Sequence, residues 1–143
     1  MIVIDFGWFV PHLPKLASVA HPPLWQGSLA TFYGGITEEL LLRLGAMSFF
    51  AWLFGKLRRG AEGLPTADAL WAANILTAVL FGLAHLPATA TVMPLTRLAT
   101  VRAILLNGIP GIVFGHLYWK LGLESAMVAH FSADLVLHVF MLS

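Results

Sequence analysis

The chain has 143 residues, of which 59% are hydrophobic and only 10% charged, and its mean hydropathy is +0.84. Soluble domains carry about 25% charged residues, so this composition excludes a water-exposed globule and indicates an all-α, polytopic membrane protein. A net charge of +1 argues against a nucleic-acid partner, and the lack of cysteine excludes disulfides, thiolate metal sites and cysteine nucleophiles.

The length suits one domain, 1–143, and continuous rather than alternating apolar segments argue against a β-barrel. Residues 1–23 are apolar but broken by Pro11, Pro14, Pro22 and Pro23, with His12, Lys15 and His21 among them. This stretch is expected to lie in the interface, anchored by Phe6, Trp8 and Phe9. It has no basic start or small-residue cleavage site and is not read as a signal peptide.

The first spanning helix is predicted over 24–54, longer than the roughly 20 residues a bilayer requires. Gly55-Lys56-Leu57-Arg58-Arg59-Gly60 is a basic connection, and its charge places that side in the cytoplasm. A second helix opens at Pro65-Thr66, with Thr66 as N-cap and Asp68 in the first turn, and runs to His85 before Pro87 stops it. Residues 87–100 read as a loop. A third helix covers 101–119, Lys120-Leu121-Gly122 turns tightly, and a fourth runs over 123–142. The expected architecture is a four-transmembrane-helix bundle, 24–143, with a short interfacial N-terminal segment.

The chemistry concentrates in polar residues that interrupt these apolar helices. The first carries Glu38-Glu39-x-x-x-Arg43, and each charge at a span's centre costs about 2.5–3.5 kcal/mol on insertion scales. Glu39 and Arg43 stand at i,i+4 and can neutralise each other, whereas Glu38 lies about 100° further round. Two readings remain open: a structural ion pair with one spare carboxylate, or an Arg43 that positions Glu39 while Glu38 serves as base. His85 closes Phe81-Gly82-Leu83-Ala84-His85, either as an interfacial histidine or as a site residue. His130 and Asp134 share one stripe of the last helix, with His138 a turn beyond. They form either a seam bonded to His116 or Asn107, or part of a site. Pooling these groups around one watery cavity is the least costly arrangement. Gly111-x-x-x-Gly115 suits either dimerisation or close packing within the chain.

Glu38-Glu39-x-x-x-Arg43, Phe81-x-x-x-His85 and His130-x-x-x-Asp134, in that order on successive apolar helices, resemble the motifs of the CPBP family. That family comprises type II CAAX prenyl endopeptidases and bacteriocin-processing or self-immunity proteins. The stretch Gly115 to His130 is similar to the family's approach to its last motif. The resemblance covers roughly residues 30–138. It implies intramembrane peptide hydrolysis with Glu38, His85, His130 and Asp134 as functional residues and Glu39 and Arg43 in support. Two features depart from the pattern: only a broken segment precedes the first motif, where members usually have further helices, and Asp134 stands where the prenyl endopeptidases have Asn.

With no Gly-x-Ser-x-Gly elbow and no cysteine, water is the expected nucleophile. Glu38, with help from His85, would take its proton, and His130 would stabilise the oxyanion. Asp134 either is protonated, orients His130 or ligates a metal. Glu38, His85, His130 and Asp134 have the donors to hold zinc; no His-Glu-x-x-His pattern is present, and the reading favours a metal-free site. His130 falls roughly 10 Å inside one membrane face, whereas a helix ending at His85 ends near the other. Residues 86–100 are therefore expected to dip inward as irregular backbone lining a water-filled cavity.

The expected partners are membrane lipids and a peptide or protein substrate, in a bacterial inner membrane; the oligomeric state is left open. The competing readings are a non-catalytic immunity or membrane binding protein of the same family and, from another class, a proton-coupled carrier. Four helices without an inverted repeat disfavour the carrier.

Overall fold

The computed structural model describes residues 2–13, 23–57, 60 and 63–137. Its elements are α1 (2–12), α2 (Leu24–Leu57), α3 (Ala67–Ala84), α4 (Leu86–Val92), α5 (Arg97–Leu121) and α6 (Leu123–Leu135). Three helical runs are long and apolar enough to cross a membrane: α2, α3 continuing through α4 (Ala67–Val92), and α5. The protein is therefore an all-helical integral membrane protein with three candidate spans. With the π-wound residues 136–137 that continue it, α6 is described over 123–137, about 22 Å of helix, which is short of a bilayer core of about 30 Å. The remainder of the expected fourth span, His138 included, lies outside the described residues, as do Lys15 and His21.

Large apolar side chains face outward, and several polar ones are buried inside beside the apolar core. Leu41, Phe49, Trp52, Val113 and Val128 are more than half exposed, while Thr31, Glu39, Arg43, Asn74 and Thr77 are almost fully buried. That inversion is what a lipid solvent demands: tails accept leucine and phenylalanine, and polar groups must find partners within the bundle. α3 and α5 approach closely along glycines. A Cβ on Gly82 would lie 2.8 Å from the Ile104 backbone, and one on Gly111 would press on Phe81 and Ala78. Gly115 faces Asn74 so closely that any side chain would collide with it. The Gly111-x-x-x-Gly115 stripe is thus used for packing within the chain.

Several boundaries follow the local signals. Thr66 caps α3, its hydroxyl accepting from the Ala69 amide at 3.3 Å. α2 continues three residues beyond the expected 54 to Leu57. The expected loop at 87–100 is a correction. Residues 86–92 are helical, only 93–96 leave the helix, and α5 starts at Arg97 behind a Thr96 cap. Pro87 does not stop the chain because it falls in the first turn of α4, where a missing N–H leaves no hydrogen bond broken. Thr89 reinforces the junction by donating its hydroxyl to the His85 carbonyl at 2.9 Å.

α1 is helical despite Pro11, with a π-wound turn at Asp5–Phe9. Phe6 and Trp8 are exposed as expected of anchors, but Phe9 is 2% exposed and belongs to the core. Asp5 holds this segment to α5 by accepting two hydrogen bonds from Arg102, each 2.6 Å.

Candidate active site

The site is built where α2 widens. Helix α2 is π-wound over Tyr33–Glu38 and Leu40–Met47, a winding often found at functional sites. Glu39 and Arg43 remain one above the other, both fully buried, and Arg43 Nε donates to Glu39 Oε2 at 3.0 Å. The other oxygen, Glu39 Oε1, lies 2.8 Å from His130 Nδ1 on α6. A carboxylate can only accept, so this contact puts the Nδ1 proton on the histidine and fixes the ring's orientation.

His130 Nε2 consequently points to the opposite side, 3.8 Å from Glu38 Oε2 and 3.6 Å from Asp134 Oδ2. Both separations exceed a hydrogen bond. The imidazole is clamped between rings, stacked on Phe114 at 4.6 Å and meeting Phe81 edge-on at 5.6 Å. Phe81 also packs edge-on against His85 at 4.7 Å. His85 Nδ1 is 2.9 Å from the Phe81 carbonyl, which only accepts, so here too Nδ1 carries the proton and Nε2 is left for other chemistry. Glu38 is within electrostatic reach of His85, His130, Asp134 and Glu39.

Exposure divides the cluster in two. Glu39 and Arg43 side chains are 0% exposed, whereas Glu38 is 22% and Asp134 16% exposed. One side is a dry ion pair; the other is a partly open face carrying Glu38, Asp134 and His130 Nε2. Glu39–Arg43 is thus a buried ion pair, and Glu38 is the carboxylate left on the open face.

The depth conflict between His85 and His130 resolves differently from the expected irregular dip. His85 does not end a span. It sits seven residues before Val92 in the run Ala67–Val92, about 10 Å inside that end at 1.5 Å per residue. The expected seam to α5 is also corrected: Asn107 donates to the Ala103 carbonyl at 2.8 Å, and His116 stacks on Trp71 at 5.4 Å, so neither is the partner of His130.

One residue of the site escaped the sequence reading. A Cβ on Gly34 would collide with the Asp134 carboxylate and lie 3.2 Å from His130 Nε2. Its neighbour Gly35 admits Phe131 in the same way, a Cβ there falling 2.9 Å from that side chain. The signal was present in the adjacent glycines within a helix, which cost about 1 kcal/mol each relative to alanine and so call for a packing reason.

Glu38, His85, His130 and Asp134 carry the donors zinc would use, with Glu39 and the Phe81 carbonyl behind the two imidazoles in the manner of outer-shell partners. As placed, however, no three His, Asp or Glu side chains among the described residues converge at the spacing of a metal shell. The chemistry proposed below uses no metal.

The family model described as Type II CAAX prenyl endopeptidase Rce1-like matches residues 20–136. No curated protein and no solved structure matches the chain. With its apolar spans, its motifs in order and a family match over most of its length, the chain belongs to the Rce1-like type II CAAX prenyl endopeptidases, a family of membrane proteases.

Proposed function

We propose that the protein is an intramembrane endopeptidase in which Glu38 activates water to hydrolyse a peptide bond. The observation that carries this reading is the division of labour around His130. Glu39 holds Nδ1 at 2.8 Å, and Nε2 is thereby directed at Glu38 and Asp134 on the partly exposed side.

A water between Glu38 and the substrate carbonyl loses its proton to the Glu38 carboxylate as its oxygen attacks. His85 Nε2 serves as a second acceptor close to Glu38. The tetrahedral oxyanion is met by His130 Nε2–H, with the positive charge of the doubly protonated ring offset by Glu39. Asp134 keeps that charged ring beside the reacting carbon. Glu38 then returns the proton to the leaving nitrogen as the C–N bond breaks, giving a carboxylic acid and an amine, which ionise to carboxylate and ammonium by transfer of the acid proton. No covalent intermediate and no metal enters the sequence. The substrate class is a peptide or protein segment that reaches the site from the membrane, and the setting proposed with it is a bacterial inner membrane.

The test is cleavage of a membrane-peptide library by the reconstituted protein, comparing wild type with Glu38→Gln. The proposal expects cleavage that falls by about 10²–10⁴-fold in the variant, with helicity and unfolding midpoint unchanged. Peptides bound but not cut by the wild type would indicate an immunity or binding role. Equal cleavage by the two forms would remove Glu38 from the reaction.

A further inference from the structure

Helix α5 contributes no acid or base to the site, but it contributes a ring. Phe114 is 4% exposed, and His130 stacks on it with ring centres 4.6 Å apart and planes inclined by only 18°. The helix packing puts it there. Gly111 lets α5 close on Ala78 and Phe81, and Gly115 lets it close on Asn74. The turn between them is thereby fixed against α3, and Phe114, about 60° round the helix from Gly111, meets α6. We propose that Phe114 is a positioning residue whose ring face supports the positive charge His130 carries while it binds the oxyanion; this rests on the hydrolysis proposed above.

The charges around His130 lie where its N–H groups point, in the plane of the imidazole. From α2 come Glu39, 2.8 Å from Nδ1, and Glu38, 3.8 Å from Nε2; from α6 itself comes Asp134, 3.6 Å from Nε2. α3 presents Phe81, which also packs against His85 at 4.7 Å. α5 presents Phe114, while its Arg102 and His116 are engaged with Asp5 and Trp71. Two of the three carboxylates give limited support in the reaction. Glu39 also accepts from Arg43 at 3.0 Å, so its charge is divided between two cations. Glu38 becomes neutral when it takes the proton from water, which is the moment the oxyanion needs a positive His130.

The direction perpendicular to the imidazole offers no hydrogen bond. An aromatic face, which is its ring's negative side, attracts a cation placed over it within about 6 Å, and more strongly where water is excluded. Phe114 lies in that direction. Phe81 does not fill the same role, because it meets His130 at 76° and its own face carries the Arg43 guanidinium at 5.7 Å. The two rings thus divide the two cations, Phe81 taking Arg43 and Phe114 taking His130. A neutral imidazole also stacks on phenylalanine, so packing and charge support have to be separated. Fluorination does this: it withdraws negative charge from the face while nearly keeping the ring's shape.

The test places mono-, di- and trifluorophenylalanine, and separately cyclohexylalanine, at position 114 of the full chain in lipid bilayers. It follows kcat and KM on a membrane peptide that the wild type cuts, with unfolding midpoints measured alongside. The same fluorinated residues at Phe49, which is 53% exposed, are the control and should leave both constants unchanged. At position 114 kcat should fall in steps, by about tenfold at trifluorophenylalanine. KM should stay constant, the mark of an interaction made in the transition state. Cyclohexylalanine, which keeps the six-membered ring and loses its π-electrons, should fall at least as far. A flat fluorine series, or full activity with cyclohexylalanine, would reduce Phe114 to packing and overturn the inference while leaving hydrolysis by Glu38 in place. So would a rise in KM at constant kcat, or a loss of kcat that follows the unfolding midpoint instead of the fluorine count. A wild type that cuts no peptide would remove the hydrolysis reading, and this inference with it.

Discussion

Replacing Glu39 by leucine tests the dry half of the site. Glu39 is 0% exposed and accepts from Arg43 at 3.0 Å and from His130 at 2.8 Å. Leucine keeps most of the volume but leaves a buried guanidinium without its counter-charge, which costs about 3–5 kcal/mol. His130 Nδ1 also loses its acceptor, adding about 1–3 kcal/mol. Among the described residues Arg43 Nη1 and Nη2 make no hydrogen bond that could take over. Removing both charges in Glu39→Leu/Arg43→Met should therefore recover the larger share and leave only the His130 deficit of about 1–3 kcal/mol. The assay is equilibrium unfolding in lipid bilayers for wild type, Glu39→Leu, Arg43→Met and the double variant, read as a double-mutant cycle. A loss below about 1 kcal/mol in Glu39→Leu, the range of exposed pairs, would refute the reasoning. So would a double variant no more stable than the single one.

Gly34→Ala should lower kcat/KM by about 10²-fold, the scale of a misplacement of about 1 Å, because the new methyl displaces the Asp134 carboxylate; peptide cleavage with a matched unfolding curve checks it. Asp134→Asn should retain more cleavage than Asp134→Ala, since the amide can still hold the His130 ring beside the reacting carbon, whereas Asp134→Ala should lose about 10²-fold; side-by-side kinetics decide between them. Arg102→Ala should destabilise by about 1 kcal/mol, a modest value because Arg102 and Asp5 are 21% and 16% exposed, and should open 2–12 to limited proteolysis; an unchanged digestion pattern would show that α1 is held by other contacts.

What could be read from the sequence was what a single helix encodes. The Thr66 cap, the Glu39–Arg43 pair and the shared stripe of His130 and Asp134 are all three- or four-residue relationships, and each is present. The Glu39–His130 bond spans 91 positions, and helical spacing carries no information about which acid of α2 meets α6. The π-winding of α2 changes the angular bookkeeping around Glu38 and Glu39, and the sequence offers no separate signal for it. Pro87 was ambiguous in a different way: proline ends a helix from its interior but begins one from its first turn. Asp5 went unread because its partner, Arg102, lies 97 positions away on α5, beyond the reach of any helical spacing.

The account rests on water reaching Glu38 inside the membrane. The chain contains no cysteine, so Glu38→Cys and Leu41→Cys each introduce a single thiol whose reaction with a charged, membrane-impermeant thiol reagent requires an aqueous thiolate. Leu41 is 63% exposed and Glu38 only 22%, so contact area alone ranks Leu41 first. The account predicts the reverse, with Glu38→Cys labelled and Leu41→Cys, facing lipid, unlabelled; an inert Glu38→Cys in a folded protein would contradict it.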